Sequence, residues 1–63
     1  MFDLLDKRAV CALLGGSRPI HAATLYRAIR RGLLPRPIKI SGSSRWVRLE
    51  IEAALAAMVE GRR

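Results

Sequence analysis

Acidic residues are missing from the middle of this chain. No aspartate or glutamate stands between Lys7 and Leu49; the five carboxylates, Asp3, Asp6, Glu50, Glu52 and Glu60, all lie toward the two ends. Cysteine is almost absent as well, because Cys11 is alone. No internal disulfide can form, which fits a reducing compartment, and one Cys with one His cannot complete a four-ligand zinc site. Cys11 therefore reads as a small buried apolar residue. Long apolar runs are lacking: the longest, residues 53–59, falls well short of the ~20 residues of a membrane-spanning helix. The opening MFDLLDKRAV carries acids where the basic region of a signal peptide would stand. These absences set the expectation of a soluble, cytoplasmic protein with no membrane partner and no cofactor.

What is present is positive charge. Twelve Lys and Arg against five Asp and Glu give a formal net charge of +7 and a pI near 11.4 across 63 residues. So basic a balance points to an acidic partner, nucleic acid first. The length fits one domain, and a domain of about 60 residues buries only about 60% of the surface its unfolded chain exposes. The core must be thin.

Asp6 precedes Lys7-Arg8-Ala9-Val10-Cys11-Ala12-Leu13-Leu14, in which Ala9, Val10, Leu13 and Leu14 share a helical face before Gly15-Gly16. The pattern predicts a short first helix capped by Asp6. Residues 15–20 hold two glycines, a serine and a proline and read as a loop. A second helix is predicted over residues 22–31, with His21 at its cap and Gly32 just past its end. The period then changes. Leu34-Pro35-Arg36-Pro37-Ile38-Lys39-Ile40, the turn residues Ser41-Gly42-Ser43-Ser44, and Arg45-Trp46-Val47-Arg48 read as a β-hairpin, and its two prolines suit an edge strand. Leu49, Ile51, Ala54, Leu55, Met58 and Val59 recur near helical spacing, with Glu50, Glu52 and Glu60 off that stripe, which predicts a third helix of roughly ten residues.

The expected fold is mainly α with a small β-hairpin, in the order of a winged helix-turn-helix. None of these elements is stable alone, so Val10, Leu13, Leu14, Leu25, Ile29, Ile38, Trp46, Leu55 and Met58 are expected to meet in one cluster.

At about 100° per residue, Leu25 and Ile29 fall on one side of the second helix. Ala23, Arg27 and Arg30 fall opposite, flanked by Thr24, Tyr26 and Arg31. Such a face suits a major groove. Ala22 and Ala23 let the first turn approach a duplex closely, and its free N–H groups favour a phosphate. Arg27 matches the paired acceptors of a guanine edge, and Thr24 either touches a base, a thymine methyl or a phosphate, or hydrogen-bonds its own helix. Arg30 and Arg31 suit backbone phosphates. On the hairpin, Lys39, Ser43, Ser44 and Arg45 form a wing that lies along the backbone or enters a minor groove. Each of these positions has a plainer reading as a solvated basic face, and the missing acids weigh against it. Trp46 reads as core rather than a stacking platform, and Tyr26 as a flank residue rather than a recombinase nucleophile.

The residues Asp6-Lys7-Arg8-Ala9-Val10-Cys11, Thr24-Leu25-Tyr26-Arg27 with Gly32, Pro35-Arg36-Pro37-Ile38-Lys39-Ile40 and Ser44-Arg45-Trp46 before a helix with Glu50 resemble the AlpA family of small phage-type DNA-binding regulators. They are also similar to excisionases, the recombination directionality factors of integrated elements. The resemblance runs from about Leu5 to Met58. It implies a winged helix-turn-helix (excisionase/MerR-like) that binds double-stranded DNA through Thr24, Tyr26 and Arg27 and through the wing near Ser43 to Arg45. It further implies transcription regulation, or assistance to a tyrosine integrase, with cooperative self-association on tandem DNA sites. One departure is the segment Gly15-Gly16-Ser17-Arg18-Pro19-Ile20-His21, longer than the family's usual turn; His21 and Ala23 also stand where serines are common.

Two rivals remain from the residues alone: a small basic protein-interaction module and a non-specific architectural DNA binder. An enzyme is not expected, since no nucleophile with its base, metal cluster or phosphate-cradling glycine loop appears.

Overall fold

Residues 3–61, the part of the chain that the computed structural model describes, run as β1 (Leu4–Leu5), α1 (Lys7–Gly15), α2 (Ala22–Arg30), β2 (Ile38–Ile40), β3 (Ser43–Val47) and α3 (Arg48–Gly61). The Asp6 carboxylate caps α1 by accepting the Ala9 N–H at 2.8 Å, satisfying one of the orphan donors of the first turn. At the other end of the helix pair, Gly32 takes φ 77°. The Leu33 N–H then donates to the Ala28 carbonyl and the Gly32 N–H to that of Ile29, each at 3.0 Å. This pair of bonds is a Schellman motif, and it ends α2 where the sequence predicts.

Between the helices the chain folds back on α1, where the Ile20 N–H donates to the Cys11 carbonyl at 3.1 Å. Gly15 makes room for this return. A Cβ there would lie 2.7 Å from the Ile20 backbone nitrogen, so backbone itself would have to move. Gly15→Ala is therefore expected to cost about 1–3 kcal/mol, read as a lower urea midpoint with an unchanged m-value. An unaltered midpoint would show that the loop gives way freely.

The hairpin is only part of the sheet. β1, β3 and β2 form a three-stranded antiparallel sheet in that order, so the fold is mixed α/β rather than mainly α with an isolated hairpin. β2 lies at an edge, as its flanking prolines suggest. β1 pairs Leu4 with Val47 and Leu5 with Trp46. The sequence reading has no such strand, because two leucines show no period and their partners lie far along the chain.

The core consists of Leu5, Val10, Cys11, Leu25, Leu34, Trp46 and Ile51, with Leu14, Ile20, Ala28, Ile29 and Ala54 among the residues against it. Trp46 is fully buried, and its indole N–H donates to the Pro35 carbonyl at 3.2 Å, pinning the α2–β2 connection to the sheet. Four expected core residues stay out: Leu13 and Met58 are each 36% exposed, Ile38 is 47% exposed, and Leu55 is half-buried but outside the cluster. Ile38 pairs with Arg45, one place along from Trp46, so strand alternation turns it to the face away from the core. Met58 lies beyond the covered part of α3, where residues 56–61 are all exposed. The helix is also longer than expected, at 14 residues. Among the described residues no helix is long and apolar enough to cross a membrane.

Candidate nucleic-acid interface

α2 carries five of the ten candidate residues, and its burial pattern assigns their faces. Leu25 is fully buried, and Ala28 and Ile29 lie against the core, so one side of the helix is fixed inward. Ala23, Thr24, Arg27 and Arg30 are exposed, at the spacing that puts residues three, four and seven apart on one face. His21 is the N-cap, and its Nδ1 accepts the Ala23 N–H at 3.4 Å. A serine is thus not needed at this position for the helix to start. Arg31 is exposed and lies just past the helix as its C-cap, with its N–H on the Arg27 carbonyl at 3.1 Å. Its side chain continues the basic end of α2 instead of belonging to the helix.

The hairpin residues are arranged differently from expectation. Ser41 and Gly42, at φ 50° and 83°, form the tight two-residue turn typical of hairpins. Ser43 and Ser44 already belong to β3, paired with Ile40 and Lys39. Cross-strand partners share a face and successive residues alternate. Lys39 and Ser44 accordingly stand on one face and Ser43 and Arg45 on the other, so the four do not form a single polar tip. Arg45 is half-buried, and its Nη1 donates to the Ser44 carbonyl at 3.0 Å.

One cleft nevertheless joins a residue of the helix with the hairpin. Tyr26, 39% exposed, lines an open cleft of about 270 Å³ together with Ser43, Ser44 and Arg45. The other wall of the cleft comes from the start of α1, as Asp6, Lys7 and Arg8. Lys7 and Arg8 belong to the acid-free span, but local pattern gives them no site. The signal that finds them is the register that lays Leu4 and Leu5 beside β3. Ala23, Thr24, Arg27, Arg30, Arg31 and Lys39 lie outside this cleft.

The field over this region is open. Among the described residues the one ion pair joins Arg48 Nε to Asp3 Oδ2 at 2.5 Å; the Arg48 N–H also donates to the Asp3 carbonyl at 2.8 Å. Arg48 thus fastens Asp3, just ahead of β1, to the start of α3. The other described cations of the acid-free span have no carboxylate of the described residues within salt-bridge reach, and all but the half-buried Arg45 are exposed. Unpaired surface cations leave their potential free to attract an acidic polymer. Comparison with known protein families, with curated proteins and with solved structures gives no match to this chain.

Proposed function

We propose that this chain is a non-enzymatic, winged helix-turn-helix protein of the cytoplasm that binds double-stranded DNA in a sequence-specific manner. In this reading α2 enters the major groove with Arg27 and Thr24 on base edges, Arg30 and Arg31 hold phosphates, and the β2–β3 hairpin is the wing. One observation carries it: Tyr26 on the flank of α2 and Ser43, Ser44 and Arg45 of the hairpin line one open cleft, within a stretch of chain that has no acid. The order of α1, turn, α2, hairpin and α3 supports the same reading. The protein then works as an excisionase beside a tyrosine integrase or as a transcription regulator, since both roles use these contacts.

Fragmented host DNA captured on the purified protein at moderate salt, then sequenced, tests the reading and divides its two forms. Tandem enriched sites at the end of an integrated element mark an excisionase; a lone promoter marks a regulator. No enrichment would refute specific binding and leave non-specific DNA or an acidic protein as the partner. If about six cations each neutralise a phosphate, log K is expected to fall with log[salt] at a slope of roughly −5. A slope near zero would exclude a phosphate-dominated interface.

A further inference from the structure

Where β1 leaves the sheet, β3 keeps an open edge. β1 pairs only with Trp46 and Val47, so residues 43–45 of β3 have β2 on one side and the turn from Asp6 into α1 on the other. Extending the antiparallel register sets Asp6 level with Arg45 and carries the start of α1 past Ser44 and Ser43. The cleft of about 270 Å³ occupies this place. Its cations come from elements far apart in sequence, Lys7 and Arg8 from α1 and Arg45 from β3, and Ser43, Ser44 and Tyr26 bring hydroxyls. Asp6 is the one carboxylate in the lining. Its Oδ1 already accepts the Ala9 N–H at 2.8 Å, and three cations outweigh it. The bond from Arg45 Nη1 to the Ser44 carbonyl at 3.0 Å ties the guanidinium to the strand while using one of its five N–H donors.

We propose that this cleft is a seat for a single phosphate ester, gripped jointly by Lys7, Arg8 and Arg45, and that a DNA backbone phosphate fills it. The identity of the phosphate rests on the duplex-binding reading; the chemistry of the seat rests on the cleft. A planar guanidinium and hydroxyl donors match phosphate oxygens, and a phosphate held between α1 and β3 fixes the angle at which α2 meets the groove, because backbone contacts set register. The first helix is then part of the interface and not merely its support.

The salt dependence of binding to a short mixed-sequence duplex tests the shared seat. Arg8→Ala and Arg45→Ala are each expected to reduce the slope of log K against log[salt] by about 1, and the double variant by about 1 again, because both cations serve one phosphate. A reduction of about 2 in the double variant would place them on separate phosphates and overturn the seat while leaving duplex binding intact; no reduction would put the cleft outside the interface. Arg45→Lys is expected to restore the slope. If Arg45→Ala does not fold, Lys7→Ala with Arg8→Ala, both on exposed side chains, supplies the same comparison. If the wild-type chain binds no duplex, the duplex reading fails, and titration with inorganic phosphate decides the seat. Amide shifts confined to Lys7, Arg8 and residues 43–45 would assign it to a small phosphate ester, and their absence would overturn it.

Discussion

Trp46→Ala is expected to remove about half or more of the folding free energy at 25 °C. A chain of 63 residues has a total stability of about 3–9 kcal/mol at typical values per residue, and truncating a buried Trp costs about 3–5 kcal/mol. Trp46 is fully buried at the centre of the sheet, level with Leu5 of β1. Its removal opens the core and also frees the Pro35 carbonyl that its indole N–H now holds. The expected result is a urea midpoint lowered by about half or more, with reduced amide dispersion. Trp46→Phe separates the two losses: it keeps most of the ring and is expected to cost about 1–3 kcal/mol while remaining folded. A Trp46→Ala variant unfolding near the wild-type midpoint would show that the core does not depend on this side chain.

Arg27→Ala should weaken binding to the enriched DNA site by about 1–3 kcal/mol, roughly 5- to 150-fold, and relax discrimination at one base pair. Arg27 stands on the exposed side of α2, opposite the fully buried Leu25, so its loss leaves the core untouched and the effect belongs to the interface. Lys39→Ala, on the edge strand β2, supplies the contrast. It should weaken all sequences alike and reduce the salt slope by about 1. If the two substitutions gave the same uniform loss, α2 would be reading charge and not bases, and the non-specific architectural rival would be the better account.

Much of the candidate surface could be read from local pattern. Leu25 and Ile29 on one side of α2 and Ala23, Arg27 and Arg30 on the other follow from helical geometry alone, and the burial of α2 agrees. Tyr26 beside Ser43, Ser44 and Arg45 also falls within the expected set. Pattern failed where the partner is distant. Ile38 and Met58 look like core residues by composition, but the pairing of Ile38 with Arg45 turns one outward, and the other lies past the covered end of α3. Lys7 and Arg8 look like solvated helix residues until the chain ahead of them is laid along β3.

The sequence by itself determined the three helices, the turns between them and the lopsided charge, because caps, glycines and 3.6-residue periodicity act over a few residues. Asp6, His21 and Gly32 set helix ends through bonds to their immediate neighbours. Only the tertiary structure decided that Leu4 and Leu5 form a strand, that Leu5, Leu34 and Ile51 complete the core, and that Lys7 and Arg8 line one cleft with Arg45. Strand pairing and core membership depend on contacts between residues some forty positions apart, whose free energy appears only once the whole chain has closed on itself.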